Sequence, residues 1–240
     1  MIARRKCGPR RQVASPFPPP SWALQPDFEE NEPQSHGTGR AVPGRRMSFV
    51  TGSSTRDSGA KLTYDDLVAM PDDGLRRELI DGELYVTPSP NHRHQSIVLN
   101  LAFHIKAHLR EHRIGRVFVA PLDVLFSQVD VVEPDVLFVR RQRESEVLAE
   151  NYLVGAPDLV VEVGSPSTRR TDERAKQRLY ERFAVAEYWI VDPDLDAIKV
   201  FRLVESRYER VAELSLEAGD VLTTPLLPGL ELPLAEIFED

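Results

Sequence analysis

The sequence holds a single cysteine, Cys7. That excludes an intrachain disulfide and a cysteine-based zinc cage. No apolar run approaches the length that spans a bilayer. Arg4, Arg5 and Lys6 have no apolar stretch behind them, so a signal peptide is not expected and the cytoplasm is the expected compartment. No internal repeat is evident. Net positive charge is missing as well: the chain carries −8 at pH 7. Most nucleic-acid binders show a basic face, and this chain as a whole does not. The charge is uneven, with a net +4 in residues 1–46 and −12 in the rest. Such an excess counts against tight, non-specific DNA binding by a monomer.

What is present suits a soluble globular chain. It has 240 residues, of which 41% are hydrophobic and 28% charged, enough for one domain with an efficient core. Residues 1–46 have no apolar periodicity and hold eight prolines. Such a segment cannot offset its ordering entropy by burial. Residues 1–60 are therefore expected to be a disordered, proline- and arginine-rich leader and linker, with a folded domain over 61–240. The leader reads as inert, although a basic tail can also touch nucleic acid. Met47 offers a second start of translation.

Thr63 begins a short helix, with Asp66 in the capping-box position. Asp81-Gly82 is a two-residue hairpin turn that pairs Leu79 with Leu84, Arg77 with Val86 and Glu78 with Tyr85. After the break at Pro88-Ser89-Pro90, Gln95–His112 reads as a helix with Ile97, Val98, Leu101, Ala102, Ile105 and Leu109 on one face. His104, His108 and His112 share an edge at metal-ligand spacing, but solvated histidines are the better reading. Val117–Phe126 and Val131–Val139 read as paired strands, and Arg140–Glu150 as a solvated charged stretch. Leu159–Val163, a helix over Asp172–Phe183 and Glu187–Val191 form a β-α-β unit with parallel strands. Ile198–Leu203 and Tyr208–Leu214 make a second hairpin, and Leu234–Phe238 closes the chain.

The chemistry gathers around Glu162. It sits among valines in a short strand, where a carboxylate must find a cation or donors to offset its desolvation. Asp135 heads the other β-rich run. Two neighbouring strands that each place a carboxylate at one end make an oxygen-rich site for a hard divalent cation. On a wheel of the following helix, Ala175, Leu179 and Phe183 form a buried stripe. Lys176 and Tyr180 lie along its edge, where they can reach over the end of the sheet, and Asp172 heads the row. Thr171 is a candidate cap, with Asp172 and Glu173 in the first turn. The alternative for Asp135 and Glu162 is a strand-end acid and a buried ion pair with Lys176. Glu78 can lend a further carboxylate or be a solvated hairpin acid. His94 can reach a phosphate or the metal site, or simply pack the helix start.

Pro134-Asp135, Val161-Glu162-Val163 followed by Ser-Pro-Ser, then Asp172, Lys176, Tyr180 and Glu187-Tyr188-Trp189-Ile190-Val191-Asp192-Pro193 resemble the Uma-type restriction endonuclease family. That family belongs to the PD-(D/E)xK nuclease superfamily. Glu78-Leu79-Ile80-Asp81-Gly82-Glu83-Leu84 and His94-Gln95 match its signature too, and the resemblance runs over Leu62–Phe238. The superfamily's lysine, two residues after the glutamate, is Gly164 here. The Uma-type pattern takes its lysine from the next helix, which matches Lys176.

The resemblance implies an α/β (α+β) fold, with a restriction-endonuclease-like mixed sheet flanked by helices and added N- and C-terminal hairpins. It implies Mg²⁺- or Mn²⁺-dependent phosphodiester hydrolysis in which Asp135, Glu162 and the Val163 carbonyl hold the metal. Lys176 would orient water or neutralise the phosphate, with Tyr180 and Asp172 positioning it and Glu78 and His94 in support. The implied partner is nucleic acid, DNA first, with no membrane and with room for a homodimer. Two rivals stand beside this reading: a catalytically idle nuclease fold used for binding or scaffolding, and a metal hydrolase with a substrate other than DNA.

Overall fold

In the computed structural model, which describes residues 60–87, 89–164 and 171–239, two prolines decide how the sheets divide. The expected strands Val117–Phe126 and Val131–Val139 are each cut in two. The first becomes β3 (Gly115–Val119) and β4 (Val124–Ser127), in a chain that already holds β1 (Arg76–Ile80) and β2 (Glu83–Thr87). The second becomes β5 (Asp130–Val132) and β6 (Val136–Arg140). Pro121 and Pro134 stand in the two gaps and have no N–H to offer a ladder. The two arms stay paired, but in different sheets: β3 with β6, and β4 with β5. Where they cross, the Ala120 amide donates to the Asp135 carbonyl at 3.2 Å.

The remaining elements are α1 (Tyr64–Val68), α2 (His92–His112), α3 (Glu144–Val147), β7 (Leu153–Val154), β8 (Leu159–Val163), α4 (Thr171–Arg182), β9 (Glu187–Asp192), β10 (Ala197–Val204), β11 (Arg207–Ser215), β12 (Val221–Leu222), β13 (Leu232–Pro233) and α5 (Leu234–Ile237). The first sheet has the order β2-β1-β5-β4-β7 and the second β11-β10-β9-β8-β6-β3, while β12 and β13 form a small pair. As expected, β8 and β9 run parallel, with α4 between them in sequence. The β1–β2 register is the expected one, Glu78 opposite Tyr85. Asp81 and Gly82 both have positive φ, at 53° and 75°, as a two-residue hairpin turn of this twist requires. A Cβ on Gly82 would also come within 2.5 Å of Lys61.

Several boundaries and environments differ from expectation. α2 starts three residues before Gln95, because the Asn91 side chain accepts from the His94 amide and caps the helix there. The Arg140–Glu150 stretch folds partly as α3, with Val147 buried. The Thr63–Asp66 capping box forms as read. Expectations for residues 1–59, Met47 among them, for Pro88, for residues 165–170 and for the side chains of Thr171 and Asp172 lie outside the described residues. Among the described residues no helix is long and apolar enough to cross a membrane.

The central strands β6, β8 and β9 of the second sheet are buried on both faces, and strand alternation sorts their side chains. Val136, Phe138, Leu159, Val161, Val163, Trp189 and Val191 pack with Ile97, Leu101, Ile105 and Leu109 of α2 and with Leu234 and Ile237 of α5. Leu137, Val139, Val160, Tyr188 and Ile190 face the other way, toward Leu179 and Tyr180 of α4 and Val124, Phe126 and Val132 of the first sheet. Asp135 and Glu162 have the same parity as Leu137 and Val160. They belong to the face that the first sheet and α4 cover.

Candidate functional site

The β6–β8 register sets Val136 opposite Val161, so Asp135 falls opposite Glu162 at the same edge. Both carboxylates then meet groups brought by other elements. Lys176, from α4, reaches Glu162 with its Nζ at 3.0 Å from Oε1 and 3.1 Å from Oε2. The same ammonium donates to Glu78 Oε1 at 2.9 Å, across from β1. Tyr180, one turn after Lys176, is fully buried and donates its hydroxyl to Glu162 Oε1 at 2.5 Å. Glu78 is buried in the hairpin and also accepts from the Glu133 amide at 2.9 Å.

Asp135 is 3% exposed. Its Oδ2 accepts from the Val163 amide at 2.8 Å and lies 3.2 Å from His94 Nε2. Its Oδ1 accepts from Arg76 Nη1 at 2.9 Å. The structure thus brings together Glu78, His94, Asp135, Glu162, Lys176 and Tyr180. Asp172 lies outside the described side chains. His104, His108 and His112 are elsewhere: His104 pairs with Glu236, and the rings of His108 and His112 stack at 4.0 Å.

The charges oppose one another in a nearly closed space. Burial pushes the Glu162 carboxyl up, to about 7; Asp135 and Glu78 add to the rise, and Lys176 and Arg76 resist it. Burial raises Asp135 too, but the His94 hydrogen bond and the charges of Arg76 and Lys176 win, holding it well below the usual carboxylate range. Burial lowers Lys176, but Glu162 and Glu78 outweigh that and keep it protonated far above neutrality. Tyr180 is raised by burial and by the adjacent Glu162, so it remains a donor. Glu133 and Asp123, at the rim, are both raised chiefly by burial.

A hard divalent cation can be tested against this donor set. The candidate ligands, the Asp135 and Glu162 carboxylates and the Val163 carbonyl, are all oxygens, the chemistry that Mg²⁺ and Mn²⁺ prefer. Among the described residues, no group of three or more acids or histidines is arranged to hold a metal ion, and Arg76 and Lys176 pair with the carboxylates. In chemical type the donors suit such an ion, while in this arrangement the protein's own cations pair with them.

Sequence reasoning missed Arg76. The signal was available: Arg76 precedes Glu78 by two residues on a strand and therefore shares its face. It also missed the Val163 amide as a donor to Asp135, which follows from the antiparallel register.

A family model described as "Uma2: Putative restriction endonuclease" matches residues 64–235. A solved structure from Anabaena variabilis, described as a putative nuclease belonging to DUF820, superposes with a TM-score of 0.62 at 21% identity, covering 74% of this chain and 97% of that one. At that identity the likeness is one of fold. No curated protein matches the chain significantly.

Proposed function

The chain belongs to the Uma2 family, has a restriction-endonuclease-like fold, and on that footing we propose that it hydrolyses phosphodiester bonds in DNA with the help of Mg²⁺ or Mn²⁺. One observation carries the reading: a buried, protonated lysine fixed between Glu162 and Glu78, with Asp135 opposite Glu162 on the next strand. A structural ion pair needs one acid for one lysine. Here three carboxylates and two cations meet between the two sheets, brought by β1, the residue before β6, β8 and α4.

Asp135 and Glu162 would hold the ion, with the Val163 carbonyl as a third ligand in keeping with the superfamily pattern. The bound ion would supply Lewis acidity toward the phosphate and lower the pKa of a water molecule. The Val163 amide and His94 keep Asp135 ionised and oriented. Tyr180 fixes one oxygen of Glu162, and Glu78 holds the Lys176 ammonium from the other side. That ammonium is the compact charge that can face the phosphate as negative charge grows on it. Asp172 would extend the row along α4 that positions Lys176.

Incubation of the full chain with supercoiled plasmid and Mg²⁺ or Mn²⁺, beside Asp135→Asn and Lys176→Met, tests the reading. Nicking by the wild type that both variants lose supports it. A folded wild type that binds Mn²⁺ but leaves DNA and RNA intact points to a hydrolase of another substrate. One observation favours the idle-fold reading: Arg76 and Lys176 already neutralise most of the acidic charge. A wild type that takes up no divalent ion in calorimetry would decide for it.

A further inference from the structure

Arg76 is the cation of this site that the chemistry above leaves unused. Its guanidinium is spread over three acceptors. Nη1 donates to Asp135 Oδ1 at 2.9 Å, and Nη2 donates to Glu78 Oε1 at 3.3 Å and to the Glu133 backbone carbonyl. Nε lies 4.0 Å from a Glu133 carboxylate oxygen and, although buried, donates to nothing among the described residues. An arginine fork is best satisfied by two parallel bonds to one carboxylate or phosphate. Here no acceptor receives two, and a buried N–H is left over, which costs its desolvation. A guanidinium cannot escape by losing its proton. It can leave only by swinging away, and the side chain is 19% exposed, open toward solvent on one side.

The acceptor side tells the same story. Asp135 Oδ2 already serves the Val163 amide and His94. Oδ1 has Arg76 as its sole partner among the described residues. A divalent ion taken up by Asp135 therefore has Oδ1 as its open oxygen, and there it meets the guanidinium, like charge against like charge.

We propose that Arg76 and the divalent cation are alternative partners of Asp135, and that the guanidinium the ion displaces turns to a phosphate of the nucleic-acid substrate, where Nε and one Nη can form the fork that Asp135, Glu78 and Glu133 do not give them. This rests on the metal-dependent reading above and adds a substrate-binding residue to it. On this proposal Arg76 holds Asp135 until a divalent ion takes its place, and the displaced guanidinium then serves the substrate phosphate.

Mn²⁺ titrations of the full chain by calorimetry test the exchange. Arg76→Gln removes the competitor, so it is expected to bind Mn²⁺ at least about tenfold more tightly than wild type, the factor set by one charge-assisted hydrogen bond. An arginine with only a structural role would lower the melting temperature without raising that affinity. In cleavage assays at saturating Mn²⁺, Arg76→Gln is expected to raise KM for DNA more than it lowers kcat. Unchanged Mn²⁺ affinity, or a loss confined to kcat, overturns the proposal.

If Arg76→Gln does not fold, the wild type answers alone. Mg²⁺ must shift the Arg76 Nε–H resonance in a ¹⁵N spectrum, identified by its absence in Arg76→Lys, and a resonance that stays put at saturating Mg²⁺ overturns the exchange. A wild type that binds Mn²⁺ no more weakly than Arg76→Gln refutes only this proposal. If neither protein binds a divalent ion, the metal-dependent reading falls and the exchange falls with it.

Discussion

Lys176→Ala is expected to be costly in the absence of metal, and the cost is expected to depend on pH. The ammonium makes three charge-assisted hydrogen bonds to two carboxylates and is 9% exposed. At about 1.5–3 kcal/mol each, those bonds total about 4.5–9 kcal/mol. Removing the ammonium also removes its own desolvation cost, several kcal/mol, which leaves a net loss of about 3–5 kcal/mol. For a domain of this size that is a fall of roughly 6–20 °C in Tm. Glu162 sets the sign of the pH effect. Its folded pKa is already raised to about 7, and losing Lys176 raises it further. A carboxyl with a raised folded pKa gives stability that is fully present below its unfolded value, about 4.3, and is lost as pH rises through the folded value. The deficit of the variant relative to wild type should therefore be small near pH 4 and widest above pH 7. Mg²⁺, by replacing the missing positive charge, should narrow it. Urea denaturation across that pH range, with and without Mg²⁺, is the assay. A deficit under about 1 kcal/mol, or one that does not vary with pH, would refute the picture of ionised, buried carboxylates leaning on this lysine.

Tyr180→Phe should cost about 1.5–3 kcal/mol in urea melts, because its hydroxyl donates to a charged, buried acceptor; no loss would mean that Glu162 holds its place without it. Gly115→Ala should destabilise by about 1–3 kcal/mol or more, since the new Cβ would lie 2.2 Å from the Val139 carbonyl and 2.5 Å from the Phe138 ring; a wild-type melting temperature would show that β3 shifts freely. In the wild type, the gain in Tm from Mg²⁺ should grow as pH rises from about 5 to 8, because the ion favours the ionised form of Glu162, whose pKa burial raises to about 7. A gain that is flat with pH would detach Glu162 from the ion.

Local rules read much of this chain well. Asp81-Gly82 set the β1–β2 register because only one turn geometry suits two residues with positive φ. The apolar period of α2 identified its buried face, and the β-α-β spacing gave the parallel β8–β9 pair. Lys176 and Tyr180 were visible on the helix edge because the wheel separates them from the Leu179 stripe. The losses came where local and global demands part. Val117–Phe126 and Val131–Val139 look continuous in hydrophobicity, yet one proline in each hands the chain from sheet to sheet. Glu78 read equally well as a solvated acid, because nothing local says that α4 will cover it. Arg76 went unnoticed for a similar reason: a charged residue at a strand start is usually solvated, and its acceptors come from residues far along the chain.

The β1–β2 hairpin joins β5 through the Leu79–Val131 pairing, and its turn adds the Gly82 amide on the Val129 carbonyl and the Asp81 amide on the Asp130 carboxylate. Beside the apolar packing of Ile80 and Tyr85, ion pairs fasten it toward the second sheet: Arg76 to Asp135, and Glu78 to the lysine that also grips Glu162. Part of what holds the hairpin down is therefore built from the same atoms as the candidate site. Any fluctuation that lifts the hairpin away takes Arg76 and Glu78 out of the site at the same moment, so opening the hairpin also dismantles the site.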